Sequence, residues 1–115
     1  MSSSPSVKRR DDLDFGARAS SGPSRVSMAW NPFSTDDALR SGYGNWDGDG
    51  SHYKTLDYEE VLLVLSGEFG IRLQDGTILN ASEGDVIHIP KGSTVSYFGK
   101  DAKLFFTITV PDSQK

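Results

Sequence analysis

Turn residues return every eight or nine positions through the second half of this chain: Ser66-Gly67, Asp75-Gly76, Glu83-Gly84, Lys91-Gly92 and Lys100-Asp101. The stretches between them are too short for packed helices and are rich in Val, Ile, Leu, Phe and Thr, the composition of strands. This spacing predicts strands near residues 52–56, 59–66, 68–74, 77–82, 85–89, 93–99 and 103–110. Asp75-Gly76 between apolar runs is a strong hairpin signal, because both turn positions favour a backbone that most residues avoid. Many short strands punctuated this way give a sandwich or a barrel, so the chain reads as all-β.

Length and composition narrow the class. At 115 residues there is room for one core, and 36% apolar residues with 12 glycines suit a turn-rich β domain. A domain of this size buries only about 60–65% of the surface its unfolded chain exposes, which leaves modest stability unless copies associate. Cysteine is absent, which removes both a disulfide framework and a thiol nucleophile. The longest apolar run is five residues, Val61 to Leu65, so no transmembrane helix is expected. The start, Met1 to Arg10, lacks the apolar stretch of a signal peptide, and a cytoplasmic protein is expected. A net charge of −4 argues against nucleic acid as a partner, and Lys8-Arg9-Arg10 is offset at once by Asp11-Asp12.

Residues 1–24 are rich in Ser, Pro, Arg and Asp and read as a flexible N-terminal segment, followed by the folded domain over 25–115. Arg25 to Trp30 reads as a strand ended by Asn31-Pro32. Ser34 to Arg40 reads as one helical turn capped by Ser34, then a Gly-rich loop carries Tyr43, Asn45 and Trp46. Strand 59–66 alternates Glu60, Leu62 and Val64 with Val61, Leu63 and Leu65, so both faces are apolar beyond the glutamate. A barrel strand needs only one apolar face. The other must be covered, either by a second copy, giving a homodimer, or by the 25–50 segment. If the chain runs extended from 52 to 60, then His52, Lys54, Leu56, Tyr58 and Glu60 share one direction.

Two motifs go further than patterning. Glu60-Val61-Leu62-Leu63-Val64-Leu65-Ser66-Gly67 and Gly84-Asp85-Val86-Ile87-His88-Ile89-Pro90-Lys91-Gly92 resemble the two signature motifs of the cupin superfamily. The resemblance implies a double-stranded β-helix, the cupin jelly-roll barrel, with Glu60 pointing inward. Most cupins hold a divalent metal with that glutamate and three histidines. Here the first-motif histidine positions fall on Tyr53 and Thr55, or on Lys54 and Leu56, and the second-motif position is Val95. With only two histidines, His52 and His88, the three-histidine site cannot form within one chain. Val95 at the inward position brings Tyr97 inward with it. Within the cupins the chain is similar to the EutQ-like ethanolamine-utilisation group. That likeness rests on Leu56-Asp57-Tyr58-Glu59-Glu60-Val61, the two motifs, and Phe105 to Pro111. An acetate kinase activity is attributed to bacterial members. It is not expected here, because no nucleotide-phosphate loop is recognisable: Gly42-Tyr43-Gly44-Asn45 lacks the strand–helix context and the Gly-Lys-Ser/Thr such a loop needs.

A glutamate inside a metal-free barrel is disfavoured in its charged form, which suits an acid or base near neutral pH. The leading expectation is therefore proton-transfer chemistry on a small organic metabolite: isomerisation, cyclisation or dehydration. Glu60 acts as acid/base, Tyr58 as its partner, and His52 or His88 as a second proton carrier. Lys54, Tyr97, Trp46 and Val95 are the candidate substrate contacts, with Lys54 drawing an anionic group. No cofactor is expected on this reading. One rival is a divalent-metal site built from His52, His88 and Glu60. The other is a non-enzymatic small-molecule-binding or assembly protein, for which Glu60 hydrogen-bonds only to hold the fold.

Overall fold

The computed structural model describes residues 5–17, 24–32 and 38–114. Among them there is no α-helix. Eight strands run in chain order: β1 (Gly16–Ala17), β2 (Arg25–Trp30), β3 (Leu39–Gly48), β4 (Lys54–Thr55), β5 (Glu60–Leu73), β6 (Ile78–Ser82), β7 (Val86–Ile89) and β8 (Thr94–Thr109). They form one antiparallel sheet in the order β1-β2-β3-β8-β5-β6, with β4 added to β8 and β7 to β5. This is the all-β jelly roll expected from the motifs.

Two long strands organise it. β5 pairs through its first half with β7 and through its second half with β6, while β8 runs beside both halves. The expected breaks at Ser66-Gly67 and Lys100-Asp101 are not chain reversals but bends within these strands, where the β5–β8 register shifts between Val64 and Glu68. Gly67 has φ +75° and Asp101 φ +48°, both left-handed, and the two face each other. A side-chain carbon built on Gly67 would lie 2.2 Å from the Asp101 carbonyl oxygen. The bend also reverses the alternation. Glu60, Leu62 and Val64 face inward before it, and Phe69 and Ile71 after it. In β8, Val95 precedes the bend on the buried side and Ala102, Leu104, Phe106 and Ile108 follow it there. The register after the bend is the same as before it, so each strand carries an irregularity there and both reset their period of two together.

Other expectations need correction. Of the helical turn expected over Ser34–Arg40, residues 34–37 lie outside the described residues, and Leu39 and Arg40 open β3. The Gly-rich stretch is that ten-residue strand, not a loop. Its glycines make room for neighbours: a side-chain carbon on Gly42 would come within 2.6 Å of the Ala29 carbonyl oxygen and 2.8 Å of the Phe106 ring. The strand expected at 52–56 is only Lys54–Thr55. In the N-terminal segment, residues 1–4 and 18–23 lie outside the described residues, while Gly16–Ala17 pairs with Ser27–Met28 as an edge strand. The described residues of the 25–50 segment lie in β2 and β3, which extend the sheet edge to edge beyond β8, away from the outer face of β5. Val61, Leu65 and Val86 remain 36%, 38% and 58% exposed.

The bend predicts a contrast between glycines. Gly67→Ala should lower stability by about 2–4 kcal/mol, combining left-handed strain with collision against backbone. Gly76→Ala, at φ +93° but with open space around it, should cost only about 1–2 kcal/mol. Denaturant midpoints of the two variants check this; equal losses would mean the bend is not a tight spot.

Candidate functional site

The inward face of the barrel encloses a cavity of about 460 Å³, within the size range of small-molecule sites. Glu60 enters it as the first residue of β5, held between Ile89 of β7 and Ile108 of β8 in the pairing register. Those neighbours are apolar and buried, and Glu60 itself is 7% exposed. Loss of hydration raises its pKa from the ordinary 4.5; a hydrogen bond from Tyr97 and the charge of Lys54 oppose that rise without cancelling it. Tyr97 Oη, on β8, donates to Glu60 Oε1 at 2.7 Å.

A second polar pair lies at the β4 side. Lys54 Nζ donates to Tyr58 Oη at 2.9 Å and lies 5.2 Å from the centre of the Tyr58 ring. The expected direct partnership of Glu60 and Tyr58 is thus redistributed: Glu60 pairs with Tyr97, and Tyr58 with Lys54. His52, Lys54, Tyr58 and Glu60 all line the cavity, but not by simple alternation: the chain bends at Asp57–Tyr58, and Ser51 and Tyr53, of the opposite parity, line it too.

Aromatic rings make up much of the remaining wall. Trp46 of β3, Phe69 of β5 and Tyr97 form a three-ring cluster with centroids 5.6–5.9 Å apart. Phe106, Leu104, Leu62, Met28 and Val26 supply further apolar surface. The rim is tied down. Ser96 Oγ donates to the Ser51 carbonyl at 2.7 Å, and Ser51 Oγ accepts from the Tyr97 backbone N–H at 2.9 Å. Ser24 Oγ bonds both the carbonyl and the N–H of Gly50. These bonds fix the loop that carries His52 and Tyr53 at the mouth.

Two candidate residues lie elsewhere. Val95 is fully buried and packs in the core without lining the cavity. His88 is on the outer face of β7, opposite Val61, where its Nε2 is 2.5 Å from Glu59 Oε2 in an exposed pair. It therefore does not meet Glu60 or His52, and the two-histidine ligand set is not assembled within the chain. Among the described residues no group of three or more His, Asp or Glu is placed to hold a metal ion, so the donors present do not fit the metal that the fold usually carries. The sequence reading missed Ser51 and Tyr53 on the rim and Phe69, Leu104 and Phe106 on the wall. The last three lie beyond the bends, where alternation counted from Glu60 or Tyr97 points the wrong way.

A family model described as ethanolamine utilisation protein EutQ matches residues 3–114. The protein named acetate kinase EutQ from Clostridioides difficile is 33% identical over 91% of this chain and 64% of its own length. The chain thus spans less than two thirds of that curated relative. A crystal structure described as an ethanolamine utilization protein Q from Salmonella typhimurium superposes with a TM-score of 0.70 at 29% identity, covering 84% of this chain and 78% of the other. An RmlC-like cupin from Shewanella frigidimarina shares the fold alone, with a TM-score of 0.72 at 16% identity over 92% and 91% of the two chains. On the match across nearly its whole length the chain belongs to the EutQ family, and its barrel has the cupin fold.

Proposed function

We propose that this chain is a small cupin enzyme that moves a proton on an organic metabolite, using side chains alone as acid and base. The observation that carries the reading is the buried Glu60, hydrogen-bonded by Tyr97 on one oxygen, in a cavity with room for a ligand. Desolvation makes its carboxylate a stronger base and its acid form more persistent, both of which help a group that must take up and return a proton. Tyr58 is the complementary group. Because Lys54 donates into its oxygen, the phenolic hydrogen is available to a substrate oxygen on which negative charge develops. His52, exposed at the mouth, is the candidate relay to solvent. In such a cycle Glu60 takes a proton from a carbon next to a carbonyl, the C–H electrons form a C=C bond, and the charge gathers on the oxygen facing Tyr58. Return of the proton to another atom gives an isomer with no net change in redox state.

The name carried by the relatives supplies a second reading, acetate kinase. A kinase site needs several cationic or backbone donors around the phosphates. Among the described residues Lys54 is the one Lys or Arg on the cavity wall, which favours the first reading. A purely structural barrel is also less favoured. Leu56 and Val95 are buried in the core, but Leu62 and Tyr97 line the cavity. The uncovered stripe of Val61, Leu65 and Val86 suits a second copy, so we also propose a homodimer, and the cytoplasm as its location.

Glu60→Gln should reduce turnover by at least about a hundredfold while the protein stays folded, measured as exchange of acidic C–H protons in D₂O by NMR. Loss of folding in place of activity would assign Glu60 a structural part. A second test uses pH. The folded state holds the Glu60 proton more tightly than the unfolded chain, so it binds more protons above pH 4.5 and its stability falls as pH rises. The stabilisation is complete below pH 4.5 and is lost through the raised folded pKa. Thermal midpoints against pH should therefore converge for wild type and Glu60→Gln in acid and separate in favour of the variant at higher pH. Parallel curves would show that Glu60 is not a buried acid. Light scattering at micromolar concentrations should give a dimer mass; a monomer mass would remove the proposed association.

A further inference from the structure

The cavity wall combines three features: clustered aromatic rings, the cation of Lys54, and a stretch of strand without a side chain at Gly44. Trp46, Phe69 and Tyr97 present a ring cluster to the cavity, and stacking on such surfaces favours flat, conjugated ligands. Among the described residues, Lys54 is the one Lys or Arg lining it. The wall's carboxylate, Glu60, is buried among apolar groups and would repel a ligand anion placed directly beside it. The anionic group of a ligand therefore belongs at the Lys54–Tyr58 pair, not at the Glu60–Tyr97 pair. Gly44 completes the picture. It lies in β3 in register with Met28 and Leu104, all three on the cavity wall. A side-chain carbon there would have as nearest neighbours the Ser27 carbonyl oxygen at 3.9 Å and a Leu104 methyl at 4.0 Å. Gly44 is thus not required by crowding, unlike Gly42; its missing side chain leaves volume in the cavity.

From this we infer that the site takes an aromatic, singly charged, enolisable carbonyl compound, with its ring between the Trp46 cluster and Gly44 and its anionic oxygen at Lys54 and Tyr58. The inference rests on the proton-transfer reading and adds the substrate class to it. A polyphosphate would find one cation where it needs several. A small aliphatic acid would satisfy Lys54 but leave the aromatic wall wet, losing most of the burial that the cavity offers.

Phenylpyruvate is a suitable probe, because it has the ring, one carboxylate and an acidic C–H beside a ketone. Pyruvate lacks the ring and phenylacetone lacks the charge. Calorimetric titration of the full chain should show phenylpyruvate binding about tenfold or more tightly than either. Lys54→Met should abolish the preference over phenylacetone, and Lys54→Arg should restore part of it. Gly44→Val, whose first side-chain carbon would meet nothing closer than 3.9 Å, should keep the wild-type thermal midpoint, weaken phenylpyruvate about tenfold and leave pyruvate nearly unchanged. Failure of phenylpyruvate to bind, equal affinity for pyruvate or for phenylacetone, tighter binding of Mg-ATP, or indifference to Gly44→Val would each overturn the assigned class. Deuterium exchange into bound phenylpyruvate, compared between wild type and Glu60→Gln, separates the two levels. Binding with the stated preferences but no Glu60-dependent exchange upholds the ligand class and removes proton transfer.

Discussion

The paired bend at Gly67 and Asp101 is the constraint on which the rest of the barrel depends. β5 and β8 are the longest strands and lie side by side throughout, so neither can bend unless the other does. Both adopt left-handed backbone at the same point, where Gly67 leaves space for the Asp101 carbonyl. Each strand then changes which alternate residues face inward. That switch lets Glu60, from the first half of β5, share a cavity with Phe69 from its second half, and Tyr97 share it with Leu104 and Phe106 across the bend of β8. Without it one half of each strand would turn its apolar residues to water.

The chemistry follows from where that cavity places charge. A carboxyl between Ile89 and Ile108 loses hydration, and Tyr97 restores one hydrogen bond while Lys54 supplies a partial counter-charge. Neither partner neutralises Glu60 by direct ion pairing, because Lys54 is engaged with Tyr58. Two polar pairs result, one centred on a buried acid and one on an exposed cation, embedded in a largely aromatic wall. A fully paired Lys–Glu bridge would have had less capacity to exchange protons with a ligand, since each charge would stabilise the other in place.

Much of this was legible in the residues. The glycine-anchored motifs pointed to the jelly roll, and the residues singled out over 52–60, His52, Lys54, Tyr58 and Glu60, do meet at one cavity, although a bend at Asp57–Tyr58 and not an unbroken extended chain brings them there. Tyr97 followed from Val95 by alternation. What alternation could not supply is which groups bond. Tyr58 is two residues from Glu60 and shares its direction, yet Glu60's hydrogen bond comes from Tyr97, 37 residues away in sequence. The two approach through the packing of β5 on β8, a relationship with no local signature. His88 shows the same limit: on β7 the outward set is Val86 and His88, and only the pairing with β5 decides it.

The sequence by itself determined the all-β class, the turns at Asp75-Gly76, Glu83-Gly84 and Lys91-Gly92, and a histidine count too low for the usual metal site. These depend on local backbone preference, on a period of two, and on which residue types are present, all of which act over a few positions. Tertiary structure alone decided that Ser66-Gly67 and Lys100-Asp101 are bends and not turns, that the Gly-rich 39–48 segment is a strand, and that the cavity is lined by an aromatic cluster with Lys54 beside it. A glycine with positive φ serves equally in a hairpin and in a bulge. Which of the two forms depends on whether a partner strand bends alongside it, and that partner lies more than thirty residues away.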